Sequence, residues 1–276
     1  MITGRTRVAA VIGNPVRHSL SPALHNAAFA QLGLDWVYTA FDVSPGEAQA
    51  ALDAMRTFRL GGLSVTLPHK EAVASAVDSL DHAAAALRSV NTVVPQADGS
   101  LKGYSTDGAG FVASLAAAGV AVAGRTVCML GAGAAARSIV DALARAGVAR
   151  VAVVNRTAES AEEAASLAGA TGVVGTTDDV SDAQIVINAT SVGMGDDELP
   201  CDPSLLRSGQ IVADIVYHPR ETALLQAARS AGATTVEGLG MLVHQAALQQ
   251  QLWHGYLPDV AVMAASAERE LAARRQ

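Results

Sequence analysis

Short apolar runs alternate with longer amphipathic stretches along almost the whole chain, which predicts strands and helices in turn. Val8 to Ile12 is a β-branched run ending in Gly13-Asn14-Pro15, a turn. Ser21-Pro22 then opens a helix that reaches Leu32, with Ser21 expected as N-cap and Pro22 at the first helical position. Trp36 to Val43 predicts a second strand, Pro45 to Arg59 a helix, and Leu63 to Leu67 a third strand. His69 to Ala76 and Asp81 to Leu87 read as helices. Thr92 to Pro95 and Leu101 to Tyr104 flank Asp98-Gly99, a hairpin turn.

The alternation starts afresh at Gly108, so a first domain is expected to end at Asp107. Gly108 to Ala118 predicts a helix. Thr126 to Leu130 is a strand, followed by Gly131-Ala132-Gly133 and a helix to Ala146. Arg150 to Val154 is the next strand, and Glu159 to Leu167 is helical. Gln184 to Ala189 and Ile211 to Val216 are continuous apolar runs, the pattern of strands buried on both faces. Thr222 to Ala231 predicts a helix and Thr234 to Glu237 a strand. From Gly240 the pattern is helical to the chain end, interrupted near Gly255 to Pro258. The expected fold is two α/β domains flanking a cleft, the second a Rossmann-type, doubly wound parallel sheet.

Composition narrows the function classes. The chain has 276 residues, 50% hydrophobic and only 4% aromatic, so cores of Ala, Val, Leu and Ile are expected. A net charge of -7 without a basic run argues against nucleic-acid binding. Cys128 and Cys201 are too few for a disulfide framework. The seven histidines lack ligand-like spacing, so no metal is expected. No signal-peptide pattern and no long apolar run occurs, which makes a cytoplasmic chain without a membrane span the expectation.

Of the 19 Lys and Arg residues, only Lys70 and Lys102 are lysine. Lysine can give up its proton in a suitable environment and arginine effectively cannot, so a retained lysine points to a need for an amine. A surface helix lysine is the simpler reading of Lys70 taken alone.

The strand Val127 to Leu130 runs into Gly131, Ala132 and Gly133, with Ala136 at the third small position of a G-x-G-x-x-A pattern. Gly131 suits the tight turn, and Gly133 lets backbone approach a pyrophosphate. The helix from Ala134 aims its positive N-terminal end at phosphate. The pattern also fits an ordinary tight turn between strand and helix. The next strand ends in Asn155-Arg156-Thr157, where a site for NAD places Asp or Glu. Arg156 suits a 2′-phosphate, which favours NADP.

On the other half, Ser19 and Ser21 combine two hydroxyls with a helix start, a site for a carboxylate. Cap and turn roles explain the same two serines. Asn91 and Asp107 are polar residues beside predicted strand and helix ends. Asp107 also suits a cap or Asx turn.

Together these segments resemble the shikimate dehydrogenase family. The resemblance rests on Gly13-Asn14-Pro15-Val16, His18-Ser19-Leu20-Ser21-Pro22, His25-Asn26, Val65-Thr66-Leu67-Pro68 with Lys70, and Val90-Asn91-Thr92. It continues through Thr106-Asp107-Gly108, Gly131-Ala132-Gly133, Asn155-Arg156-Thr157, Asn188-Ala189-Thr190-Ser191, Asp214-Ile215-Val216-Tyr217, and Gly240-Met241-Leu242-Val243 with Gln245-Ala246-Ala247. These run in the family's order over nearly the whole chain.

The resemblance implies reversible NADPH-dependent reduction of 3-dehydroshikimate to shikimate, in aromatic amino-acid biosynthesis. It implies that Ser19, Ser21, Thr66 and Tyr217 hold the substrate carboxylate. Lys70, Asn91, Asp107 and Gln245 would hold the ring hydroxyls, with Lys70 and Asp107 as the catalytic pair. For the cofactor it implies Gly131, Ala132, Gly133, Ala134, Ala135, Asn155, Arg156, Thr157, Thr190, Ile215, Gly238 and Met241. The substrate domain would be discontinuous, 1–107 with 240–276, around a nucleotide domain of 108–239, in a monomer or homodimer. Ala134, Ser64 and Ser105 depart from frequent family residues. Quinate and aminoshikimate dehydrogenases of the same family are the near alternatives. A folate-type dehydrogenase and a non-catalytic NADP sensor are the distant ones.

Overall fold

The computed structural model describes residues 1–274. The last two positions of the expected C-terminal helix, 275 and 276, lie outside the described residues. The chain divides into two compact units: Met1–Thr106 together with the chain from Val243 onward, and Asp107–Leu242.

The first unit is built on a mixed sheet. Its strands are β1 (Arg7–Gly13), β2 (Trp36–Asp42), β3 (Gly62–Val65), β4 (Ser79–Leu80), β5 (Thr92–Pro95) and β6 (Leu101–Tyr104), in the order β2-β1-β3-β5-β6-β4. β1 pairs in parallel with β2 and β3, whereas β3 to β5 and β5 to β6 are antiparallel. The period of two sends Ala10 and Ile12 into one core and Ala9 and Val11 into another, so both faces of β1 are covered. The first core is completed by Leu52 and Met55 of α2 (Ala48–Phe58) and Val73 of α3 (Lys70–Ala76). The second takes Phe29 of α1 (Ser21–Gln31), Tyr38, and Trp253 of a C-terminal helix. A short helix, α4 (His82–Leu87), is capped by Asp81, whose carboxylate accepts from the Ala84 N–H.

The N-cap of α1 is Leu20, and Ser21 is already helical. The expected capping role of Ser21 is therefore corrected, and its hydroxyl is not used on the helix end. Strand β4 was not legible because two residues show no alternation.

The second unit starts with α5 (Asp107–Ala117) and holds β7 (Thr126–Leu130), β8 (Arg150–Val154), β9 (Gly172–Val174), β10 (Ile185–Asn188), β11 (Ile211–Asp214) and β12 (Thr234–Val236). Every pairing is parallel, in the order β12-β11-β10-β7-β8-β9. Read from the other edge, this is the doubly wound 3-2-1-4-5-6 arrangement, with its switch point between β7 and β10. Val127, Met129, Ile185 and Ile187 point to one core; Cys128, Leu130, Val186 and Val212 point to the other. Burial on both faces explains the continuous apolar runs. The helices are α6 (Ala134–Arg145), α7 (Ala158–Ser166), α8 (Asp179–Asp182) and α9 (Ala223–Ser230). Two further helices close the chain, α10 (Leu239–His254) and α11 (Val260–Ala273).

Among the described residues no helix is long and apolar enough to cross a membrane. Burial pushes the Cys128 thiol up to about 12 and Cys201 up to about 11, so both stay protonated at neutral pH.

Candidate active site

Strand direction gathers the substrate-side residues of the first unit. β1 and β3 run parallel, so the loop after Gly13, which carries Ser19 and Ser21, lies at the same sheet edge as Thr66 and Lys70. β5 runs the opposite way, with Thr92 beside Ser64, so its leading residue Asn91 arrives at that edge too. β6 reverses again and delivers Thr106 there. Backbone bonds lock the edge: Val65 N donates to Asn91 O at 2.8 Å, and Asn91 N donates to Tyr104 O at 3.0 Å.

Each side chain at the edge has a defined posture. Asn91 is 3% exposed, and its Oδ1 accepts from Thr106 N at 2.9 Å and from the Thr92 hydroxyl at 2.8 Å. A backbone N–H can only donate, so the amide orientation is fixed and Nδ2 is the donor side. Ser19 Oγ accepts from Ser21 N at 3.2 Å. The Ser19 loop is pinned from the far end of the chain, where Arg274 donates to His18 O at 2.7 Å and to Ser19 O at 3.2 Å. Lys70 is the first residue of α3 and is half-buried, as is Thr66. His69, just before it, is buried and donates from Nε2 to Val43 O at 2.8 Å.

Helix α10 lies antiparallel to β3. Trp253 occupies the space above Gly62, where a Cβ would sit 2.4 Å from the indole. One turn earlier, Gln249 accepts from Ser64 Oγ at 2.7 Å. Four helical residues rise about 6 Å and two strand residues advance about 6.6 Å. The same step therefore carries Gln245, buried on α10, toward the level of Thr66.

In the second unit, Gly131 ends β7 with φ +106°, and a Cβ there would stand 2.9 Å from Thr190 Cγ2 and 3.0 Å from Ala189 O. Only glycine accepts both conditions. Gly133 is exposed with open space where its Cβ would be, and it caps α6 without a side-chain hydrogen bond. The first N–H groups of a 12-residue helix thus face outward beside Ala134 and Ala135, while Ala136 packs inside. Asn155 turns onto Thr157 O at 3.1 Å, leaving Arg156 exposed at the tip of β8. A glycine cradle, an uncapped helix start and an exposed guanidinium fit a phosphorylated dinucleotide. Gly238 is buried against Ile215 O and Val216 O, each 2.5 Å from where a Cβ would stand. That close approach holds the start of α10, with half-buried Met241, against the loop of Ile215 and half-buried Tyr217. Asp107 is half-buried in the first turn of α5, where the helix dipole favours a carboxylate.

Beneath these loops lies a polar pair whose residues the sequence reading named only as motif residues, without their mutual bond. Asn188 and Asp214 end neighbouring strands in register, and Asn188 Nδ2 donates to Asp214 Oδ1 at 2.9 Å. Asp214 also accepts from Val216 N at 3.0 Å and from Thr222 Oγ1 at 2.7 Å, while Asn188 Oδ1 accepts from Thr190 Oγ1 at 2.7 Å. The signal was present: each is the sole polar residue of an otherwise apolar strand. Asp214→Ala leaves three buried donors without an acceptor and should cost about 3 kcal/mol of unfolding free energy. Urea unfolding checks it, and a loss below about 1 kcal/mol would contradict the network.

Acid should weaken the fold through buried histidines. Burial lowers the pKa of His25 from 6.5 to about 3, and burial also lowers His244 and His254. Above pH 6.5 the stability contributed by neutral His25 is fully present; as pH falls toward 3 the unfolded chain takes up a proton that the folded one refuses. Asp214, raised by burial, acts oppositely from its ordinary value of 3.8 upward. Between pH 6.5 and 5 the histidines should dominate, with His25 giving up to about 1.4 kcal/mol per pH unit. His25→Phe should flatten that slope in urea unfolding followed across pH, and an unchanged slope would remove His25 as the cause.

Comparison with known proteins gives the family of the chain. Residues 11–93 match the shikimate dehydrogenase substrate binding domain, 114–193 the shikimate / quinate 5-dehydrogenase family, and 238–268 the shikimate 5'-dehydrogenase C-terminal domain. A shikimate dehydrogenase (NADP(+)) of Moorella thermoacetica is 45% identical over 95% of this chain and 92% of its own. A shikimate dehydrogenase solved with NADP+ superposes with a TM-score of 0.92 at 36% identity, covering 98% of this chain and 97% of the other. The Thermus thermophilus shikimate 5-dehydrogenase, solved with NADP(H) and shikimate, has a TM-score of 0.89 at 37% identity over 95% and 99% of the two chains. The chain belongs to the shikimate dehydrogenase family.

Proposed function

We propose that this chain is an NADP-dependent shikimate dehydrogenase, reversibly reducing 3-dehydroshikimate to shikimate in aromatic amino-acid biosynthesis. The observation that carries the reading is the sheet edge of the first unit, where Ser19, Ser21, Thr66, Lys70 and Asn91 emerge together. Hydroxyls and a cation at one edge suit a small carboxylated polyol. Family membership at 45% identity supports the same activity. The discontinuous unit, with expected limits 1–107 and 240–276, is the substrate domain, and 108–239 is the NADP domain. The enzyme works in the cytoplasm as a monomer or homodimer.

When bound, NADPH supplies the hydride that reduces the ketone. The chain supplies orientation and a proton. Ser19, Ser21, Thr66 and Tyr217 donate to the carboxylate. Asn91 presents its Nδ2 side to a ring hydroxyl, and Gln245 and Asp107 hold the others. Lys70 Nζ donates to the ketone oxygen, offsets its growing negative charge and delivers the proton that makes it an alcohol. Lys70 and Asp107 together carry this proton relay. For the cofactor, Gly131, Ala132, Gly133, Ala134 and Ala135 form the phosphate turn. Arg156, with Asn155 and Thr157, would hold the 2′-phosphate, and Thr190, Ile215, Gly238 and Met241 would complete the cofactor's contacts.

Quinate oxidation with NAD is the second reading, favoured by the shared family description. The β8 tip opposes it, since Asn155-Arg156-Thr157 lacks the carboxylate that an NAD ribose calls for. One matrix of initial rates decides: shikimate, quinate and aminoshikimate, each with NADP+ and NAD+. Fastest turnover of shikimate with NADP+ is expected, and preference for another pair would overturn the assignment.

A further inference from the structure

The first unit contains a buried polar chain that none of the roles above uses. Tyr38 lies on β2, is 2% exposed, and donates from its hydroxyl to Ser64 Oγ at 2.6 Å. Ser64 Oγ donates to Gln249 Oε1 at 2.7 Å, and Gln249 Nε2 donates to Asn91 O at 3.3 Å. The chain has one polarity. Asn91 O can only accept, which turns the Gln249 amide oxygen toward Ser64. The single Ser64 proton goes to that oxygen, so Ser64 can only accept from Tyr38.

The same tyrosine is held at its other end by α1. Asn26 Oδ1 accepts from Tyr38 N at 2.8 Å, and Asn26 Nδ2 donates to Tyr38 O at 2.9 Å and to Pro22 O at 2.8 Å. This amide satisfies the outer edge of β2 as a further strand would. The His25 ring stacks on the phenol, with centroids 4.1 Å apart and planes 15° apart. Tyr38 therefore joins four segments: α1 with Ser21, β3 leading to Thr66, the Asn91 backbone, and α10 with Gln245 one turn before Gln249.

We propose that Tyr38 is a positioning residue: its hydroxyl, through Ser64 and Gln249, sets the spacing of the side chains that grip the substrate. Touching no substrate, it acts by holding β3 and α10 in register at the active edge. Ser64 is the link that makes this possible, because its short side chain admits the phenol hydroxyl between β3 and α10. The inference rests on the reading of this edge as the shikimate site.

Tyr38→Phe keeps the ring, the His25 stack and the Asn26 clamp and removes the hydroxyl, with its bond to Ser64 and its hydrogen bond with the Ser21 side chain. Shikimate affinity, measured calorimetrically without cofactor, should weaken about tenfold, with KM for shikimate rising in step. KM for NADP+ should stay within about twofold and kcat within about threefold of wild type. A role in stability alone would lower the unfolding midpoint and leave shikimate affinity unchanged. Ser64→Ala cuts the same chain, so the double variant should bind no more weakly than the weaker single. Unchanged shikimate affinity in Tyr38→Phe, or losses that multiply in the double variant, would overturn the proposal. A wild-type protein that fails to bind shikimate would overturn the substrate reading and this inference with it, whereas wild-type binding with unchanged variants overturns this inference alone.

Discussion

Lys70→Ala should lower kcat by about 10²- to 10⁴-fold while KM for shikimate changes far less. The reasoning starts from charge. Hydride addition turns a neutral carbonyl oxygen into an alkoxide, so a cation and proton donor beside that oxygen helps the transition state more than the ground state. Only interactions stronger in the transition state appear in kcat. Lys70 stands at the first position of α3, directly after the turn that follows Thr66, so its backbone starts at the sheet edge where Thr66 lies. Lys70→Arg keeps the positive charge without an amine that can release its proton. It should recover binding more than turnover. The check is a steady-state comparison of kcat and KM for wild type and both variants. Survival of kcat within a few fold in the alanine variant would remove Lys70 from the proton path.

Arg156→Ala should raise KM for NADP+ by about 10- to 100-fold and change KM for NAD+ by less than about threefold. A hydrogen bond to a charged group is worth about 1.5–3 kcal/mol, and each 1.4 kcal/mol is a factor of ten. Arg156 is exposed at the tip of β8, next to the glycine turn on β7 in the sheet. The strand order puts the end of β8 on the adenosine side of a doubly wound nucleotide site. NAD lacks the 2′-phosphate, so it offers Arg156 no equivalent anion. Equal losses for the two cofactors would sink the 2′-phosphate reading and leave Arg156 as a general contact.

Most of the architecture was legible because two periodicities sufficed. The continuous apolar strands of the second unit and the glycine turn after Leu130 identified a doubly wound sheet before any contact was known. The same logic misjudged Ser21. Serine before proline is the usual cap, but here the helix begins one residue earlier and Leu20 takes the cap position. β4 was missed because two residues show no alternation, and β9 went unread although β12, equally short, was read from its β-branched Thr-Thr-Val run. Asn188 and Asp214 were noticed only as motif residues; their mutual bond needed the in-register pairing of β10 with β11.

By itself, the amino-acid sequence determined the fold class and named the groups proposed for the cofactor and for the chemistry. Each depends on local residue type: a glycine that tolerates positive φ, a strand tip without a carboxylate, a lysine in a chain where arginine is the rule. The tertiary structure decided how those groups are held. Only the reversal of β5 brings Asn91 to the edge reached by β1 and β3, and only the antiparallel passage of α10 sets Gln245 toward Thr66. Tyr38, Ser64 and Gln249 lie far apart along the chain, and a hydrogen bond depends on distance in space. No periodicity records such a bond, because its partners are joined by packing and not by sequence spacing.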